Sequence, residues 1–210
     1  LRKIQSFGGR IQQTEMTLSE KGHAYLSKMM SSAERMQSLI KAVLSFSRIH
    51  RSNDEFEEVN FDDILDVVIN DLEVLVSEKQ AKIFKDKIGT VFGDKNQLHR
   101  VAQNIIHNAI KFAKVDVQPS LTIRLISRDS EFVTVEFNDN GVGFNKEHEH
   151  KIFDLFERLH AKSEYTGTGL GLAICKKIVN RHSGKIWAES KTDTGASFFV
   201  TLPVKISVVQ

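Results

Sequence analysis

Asp139-Asn140-Gly141-Val142-Gly143 and Thr166-Gly167-Thr168-Gly169-Leu170-Gly171-Leu172 are two glycine clusters separated by a segment carrying Phe153, Phe156 and Arg158. Glycine has no Cβ, so backbone can approach a ligand closely there, and a glycine run that leads into a helix offers free N–H groups to phosphate. Two such clusters read as a nucleotide clamp. No Gly-x-x-x-x-Gly-Lys-Ser/Thr occurs, which excludes a P-loop. The second cluster spaces its glycines Gly-x-Gly-x-Gly rather than Gly-x-Gly-x-x-Gly, which argues against a dinucleotide fold. The first cluster follows the alternating, strand-like run Phe132–Phe137 and opens on an Asp, a group able to accept from an exocyclic amino group.

Upstream, residues Lys95 to Ala113 read as a helix with a buried stripe of Leu98, Val101, Ala102, Ile105, Ile106 and Ala109. Asn104 and Asn108 lie four apart on one side of it, followed by Lys111 and Phe112. Amides on a largely apolar helix are costly unless satisfied. An amide oxygen is a hard ligand suited to Mg²⁺, which leaves most of its other positions to water and nucleotide phosphates. The spacing therefore favours a metal and phosphate role over a satisfied core amide.

The rest of residues 54–210 alternates helices and strands: a helix over Asp62–Glu78, short strands near Ala81–Phe84 and Thr90–Phe92, strands at Leu121–Ile126 and Phe132–Phe137, a helix over Leu170–His182, and final strands at Lys185–Glu189 and Ser197–Leu202. Ser52-Asn53-Asp54-Glu55 is a polar break ahead of this layer. Residues 1–53 differ in character. Ile4, Phe7 and Ile11 share one face of a first helix. Leu26, Met29, Ala33, Met36, Ile40, Val43 and Ser47 then repeat at intervals of three and four, a heptad seam behind the capping box Thr17-Leu18-Ser19-Glu20. Two helices cannot bury such a seam alone. The alternatives are a hairpin that dimerises into a four-helix bundle and one packed on its own globular domain; the heptad favours the dimer.

The 210 residues carry a formal net charge of +2 and one cysteine, Cys175. A disulfide framework is thereby excluded, and the chain suits a reducing, cytoplasmic setting. No block of Lys/Arg interleaved with aromatics points to nucleic acid, and Lys176, Lys177 and Arg181 read as a solvated helix face. No run of about eighteen apolar residues is present, so no membrane contact is expected of this segment.

Together, Asn104-x-x-x-Asn108-Ala-x-Lys111-Phe112, Asp139-Asn-Gly141-x-Gly143, Phe153-x-x-Phe156 and Gly167-Thr-Gly169-Leu-Gly171-Leu resemble, in order, the N, G1, F and G2 boxes of sensor histidine kinases. The four boxes in sequence are specific where any one is weak. The resemblance implies an α+β chain: a dimerisation and histidine-phosphotransfer hairpin over residues 1–53, ending in Ser47-Arg48, and a catalytic ATP-binding domain over residues 54–210. That domain is an α/β sandwich of the GHKL (Bergerat) ATPase type, with a mixed sheet and a mobile lid. It implies that Asp139 accepts from the adenine amino group, that Gly141 and Gly143 let the base pack close, and that Asn108 coordinates Mg²⁺. Asn104 and Lys111 help hold metal and phosphates; Gly167, Gly169 and Gly171, with Thr168 and Leu170 between them, hinge the lid and present amides to ATP. Phe153 and Phe156 pack the lid.

One departure stands out. The chain begins at Leu1-Arg2-x-Ile4, which in the family follows the phosphoaccepting His, so that His is expected upstream and these residues alone are not expected to autophosphorylate. His23 stands at the wrong end of the hairpin; His148 and His150 fall in a charged lid segment without further ligands. The implied partners are a second copy, a response-regulator receiver domain and an upstream sensor domain, with any membrane anchor also upstream. The alternatives are a serine kinase of the anti-sigma type on the same fold, against which the long hairpin counts, and a non-catalytic nucleotide-sensing dimeric scaffold.

Overall fold

A computed structural model describes residues 1–14, 19–48, 56–157 and 169–205. The chain divides into two compact units, Leu1–Arg48 and Ile49–Gln210.

The first unit is a pair of helices, α1 (Arg2–Thr14) and α2 (Glu20–Arg48). Ser19 supplies the cap of α2, its Oγ accepting from the Gly22 N–H at 3.2 Å; this satisfies one of the helix's orphan donors. Thr17 of the anticipated capping box lies outside the described residues. The helices meet where Gly8 faces Met30, a contact so close that a Cβ on Gly8 would overlap the Met30 sulfur, and where Ala33 is buried. The rest of the apolar pattern is uncovered: Ile4, Phe7 and Ile11 on α1, and Met29, Met36, Ile40 and Val43 on α2, are exposed.

The second unit runs β1 (Glu57–Asn60), α3 (Phe61–Asp71), α4 (Glu73–Glu78), β2 (Lys82–Lys85), β3 (Thr90–Gly93), α5 (Lys95–Lys111), β4 (Ser120–Arg128) and β5 (Phe132–Asp139). Two short 3₁₀ turns follow, Lys146–His148 and Lys151–Phe153, and then α6 (Gly171–Arg181), β6 (Lys185–Lys191) and β7 (Gly195–Pro203). The five-stranded sheet has the order β2-β4-β5-β7-β6. β2 pairs parallel to β4 and every other pair is antiparallel, so the sheet is mixed, as anticipated. Strand periodicity turns Leu121, Ile123, Val133, Val135, Phe137, Phe198 and Val200 to one face, where they are buried with Leu65 and Val68 of α3, Leu98 and Ile105 of α5, and Ile178 of α6. The opposite face carries a stacked Trp187–Phe199 pair and the Arg124–Glu136 ion pair.

Two expectations change. The helix read over Asp62–Glu78 is broken at Leu72, whose backbone (φ −98°, ψ 8°) ends α3 and begins α4. α3 buries Phe61, Ile64, Leu65 and Val68, whereas α4 buries no residue, so packing holds α3 and does not hold α4 to its axis. Glu57–Asn60, with one apolar residue in four, gave no strand signal, yet it pairs antiparallel with β3 in a separate two-stranded sheet.

His182 ties this small sheet to α6. Its Nε2 accepts from the Asp94 N–H at 3.0 Å and its Nδ1 faces the Ile178 carbonyl at 2.8 Å, while its ring stacks on Phe56. These partners require a neutral ring with the proton on Nδ1, and burial accordingly lowers its pKa. Asp94 in turn caps α5, its Oδ1 accepting from the Gln97 N–H.

Candidate functional site

The alternation that buries Val133, Val135 and Phe137 continues to Asp139, so the last residue of β5 places a carboxylate among apolar side chains, 8% exposed. Its Oδ1 accepts from the Gly141 N–H at 2.8 Å and the Ala196 N–H at 3.2 Å. Its Oδ2 makes no hydrogen bond among the described residues. Burial pushes the group up to about 6; the two amides and the nearby Lys114 charge pull the other way. A buried acid with one oxygen engaged and the other open is an acceptor for an incoming N–H donor.

The loop that follows is fixed from several sides. Asn140 Oδ1 accepts from the Ser120 N–H and its Nδ2 donates to the Gln118 carbonyl, which staples the loop to the start of β4. The Val142 N–H donates to the Phe112 carbonyl, which lays it against the end of α5. Gly141 and Gly143 are both buried within it. From the other side comes the turn between β6 and β7. Gly195 has φ +100°, and a Cβ there would overlap the Asp139 carbonyl, so only glycine allows this approach.

Along α5, Asn104 and Asn108 diverge in their surroundings. Asn104 Nδ2 donates to the Arg100 carbonyl at 3.0 Å, and its Oδ1 lies 3.1 Å from where a Cβ on Gly171 would stand. It is turned toward the start of α6. Asn108, one turn on, is half-buried, and its amide makes no hydrogen bond among the described residues. The Lys111 ammonium lies 4.5 Å from the Phe112 ring centroid.

Of the second glycine cluster, Gly167 and Thr168 lie outside the described residues, as do Thr166 and Arg158. Gly169 has φ +71°, and a Cβ there would press on the Phe156 and Glu157 backbone. The Phe156 N–H donates to the Gly169 carbonyl. Leu170 is a core side chain, 1% exposed, so it can offer a ligand only its main chain. Gly171 is the first residue of α6. The two phenylalanines differ: Phe153 is buried, whereas Phe156 is exposed with φ 66° and engages Gly169 through its backbone. His23 and His150 are exposed. Cys175 is a core thiol that burial pushes up to about 12.

The structure thus brings Asp139, Gly141, Gly143 and the end of α5 together, and sets Asn104 beside Gly171. It adds residues that the sequence did not single out: Ala196 and Gly195, whose contribution is backbone, and Lys114, whose ammonium reaches the Asp193 carbonyl.

A sequence profile described as histidine kinase-, DNA gyrase B- and HSP90-like ATPase matches residues 93–206, the span that holds α5, Asp139 and both glycine clusters. The chain belongs to this ATPase family. Its likeness to sensor histidine kinases is borne out by individual relatives. It is 35% identical over 187 residues to Cyanobacterial phytochrome A of Nostoc sp., covering 89% of this chain and 24% of the phytochrome. It is 33% identical over 193 residues to Sensor protein kinase WalK of Staphylococcus aureus, covering 87% of this chain and 45% of that kinase. The solved catalytic domain of histidine kinase ThkA superposes with a TM-score of 0.60 at 27% identity, covering 71% of this chain and 98% of that domain. ThkA in complex with response regulator protein TrrA matches 96% of this chain and 57% of the solved chain, with a TM-score of 0.67 at 23% identity, a likeness of fold. The histidine-kinase ATPase fold and mixed sheet read from the sequence hold, and these relatives favour the sensor-kinase reading over the serine-kinase alternative. The chain spans about a quarter of the length of the phytochrome and less than half that of the WalK kinase. Among the described residues no helix is long and apolar enough to cross a membrane.

Proposed function

We propose that this chain is the catalytic core of a two-component sensor kinase in the cytoplasm: residues 54–210 bind ATP, and residues 1–53 form the dimerising, phosphotransfer hairpin. In this reading the γ-phosphoryl passes to a histidine outside these residues and then to an aspartate of a response-regulator receiver domain, under control of a sensor domain in the same longer protein. The observation that carries it is Asp139, buried, with Oδ1 held by two backbone amides and Oδ2 open. That arrangement suits the 6-amino group of adenine, with Gly141 and Gly143 lining the approach of the base.

The phosphate end is assigned to Asn108, Lys111 and the amides of Gly167–Gly171, with Asn104 setting the start of α6. Asn108 fits a hard divalent cation, because it is a half-buried side-chain amide with no hydrogen bond among the described residues, between the buried Ile105 and Ala109 of α5. Mg²⁺ held there would neutralise phosphate charge. What the chain's own residues do is position: phosphoryl transfer asks chiefly for alignment and charge compensation. The exposed apolar positions of α1 and α2 support a homodimer, since a seam of this kind is stable when a partner covers it.

Calorimetric titration with a non-hydrolysable ATP analogue, with and without Mg²⁺, tests the reading. Wild type should bind at micromolar affinity, and Asp139→Ala should bind at least about tenfold more weakly through loss of a buried charged hydrogen bond. Asn108→Ala should keep the Mg²⁺-free affinity and lose the gain that Mg²⁺ gives. A wild type that binds nothing would remove the kinase reading, and the nucleotide-sensing scaffold with it.

A further inference from the structure

Three segments distant in sequence meet beside Asp139 in a closed circuit of hydrogen bonds. The Val142 N–H donates to the Phe112 carbonyl at 3.0 Å; the Asp193 N–H donates to the Val142 carbonyl at 2.8 Å. The Lys114 ammonium donates to the Asp193 carbonyl at 2.7 Å and returns the circuit to within two residues of Phe112. The first two links are backbone to backbone and open to any residue but proline. Lys114 is the one link made by a side chain, and so the one whose formation depends on residue type. The circuit ties the turn between β6 and β7 to the loop after β5, three residues before the Ala196 N–H that reaches Asp139 Oδ1. Asp193 sits in that turn at φ 62°, the left-handed region that Asp enters more readily than most side chains.

We propose that Lys114 is a specificity-determining positioning residue of the base pocket: by closing this circuit it keeps the Ala196 amide on Asp139 and the carboxylate in register for the 6-amino group of adenine. Its charge acts in the same direction. Burial drives Asp139 toward its neutral form and the Lys114 ammonium opposes this. An ionised Asp139 accepts from the amino group of adenine, whereas a protonated one donates to the carbonyl that hypoxanthine carries at the same ring position. Losing Lys114 therefore weakens selection for adenine by two routes, one geometric and one electrostatic. A solvated surface lysine would do neither.

The proposal rests on the assignment of Asp139 to adenine, and the experiment separates the two. The 210-residue chain is titrated with Mg-ATP and with Mg-ITP; the triphosphates are the same, so events at the phosphate end cancel in the ratio of the two affinities. Wild type should prefer ATP. Lys114→Met should lower that preference about tenfold by weakening ATP and leaving ITP nearly unchanged, on the scale of one lost hydrogen bond to a charged group. Lys114→Arg should restore most of it, and the Ala196 amide should exchange faster in the Met variant. Lys114→Gln gives the same test should the Met variant not fold. An unchanged ratio, or ATP and ITP weakening together, would overturn the role given to Lys114 while leaving the nucleotide site standing. A wild type that binds both nucleotides equally would overturn the adenine assignment and this proposal with it.

Discussion

The two units solve the problem of burial differently. In the second, the apolar stripe of each main helix meets an apolar sheet face, and side chains such as Leu65, Leu98, Ile106 and Val135 are at most 1% exposed. In the first, the same kind of stripe leaves Met29 at 61% and Ile40 at 52% exposure. Both stripes repeat at helical spacing in sequence. Periodicity therefore reports that a face is to be covered, and says nothing of what covers it. The second unit covers its own, while the first leaves Met29, Met36, Ile40 and Val43 exposed.

The sharpest way to break this contrast is to delete apolar side chains from each unit. Leu98→Ala should cost the second unit about 2–5 kcal/mol, since it removes buried carbon and leaves a cavity. Met29→Ala should change stability by less than about 0.5 kcal/mol at low concentration. If a second copy covers the seam, that cost should grow with protein concentration, because dimerisation stabilises by mass action. Urea unfolding at two concentrations separated a hundredfold measures both. A Met29→Ala penalty that is large and independent of concentration would mean that the hairpin is stabilised within one chain.

A second contrast lies between a polar group buried for function and one buried for structure. Asp139 titrates near 6 when folded against 3.8 for the free side chain. Between these values the native state holds more protons than the unfolded chain, so stability is fully present below about 3.8, falls as pH rises, and is level again above about 6. The shift corresponds to about 3 kcal/mol in all. His182 has the opposite sign: its pKa is lowered by burial, so its contribution is present above the unfolded value and lost as pH falls below 6.5. Asp139→Asn removes only the first effect. Its melting temperature relative to wild type should rise between pH 4 and 6 and then level off, even as nucleotide binding is lost. A difference that is flat with pH would show that Asp139 folds without an electrostatic penalty.

Much of this was legible in the sequence, for reasons that also explain what was not. Asp139 stood out because a carboxylate between an apolar strand and glycines is chemically out of place, and the strand's own period buries it. The stripe of α5 was readable because seventeen residues give several turns of pattern. β1 was invisible because its single buried residue, Val59, cannot display an alternation. Lys114 and Ala196 were invisible for another reason. Every residue but proline carries a backbone N–H, and the bond from Lys114 to Asp193 spans 79 positions, so nothing local marks either. Phe153 and Phe156 look alike as letters; only backbone conformation separates a core side chain from an exposed one held through its main chain.

The smallest predicted effect bears most directly on the two units, because the same chemical change can be made in each. Ser19 caps α2 through the Gly22 N–H, and Asn60 caps α3 through the Asp62 N–H, each bond about 3.1–3.2 Å long. Replacing either by Ala removes one acceptor from a helix N-terminus and should cost about 1 kcal/mol. Where that cost appears should differ. α3 buries Phe61, Ile64, Leu65 and Val68 in the core of its unit, so its first turn opens only when that core does. Asn60→Ala should therefore lower the global unfolding free energy. α2 exposes most of its seam, so its first turn can fray alone. Ser19→Ala should then raise hydrogen exchange at Gly22 about fivefold while leaving global unfolding in place, as local opening allows. If both substitutions lowered global stability alike, the first turn of α2 would be as well integrated as that of α3, and the contrast between a self-covered unit and one with an exposed seam would fail at its N-terminal end.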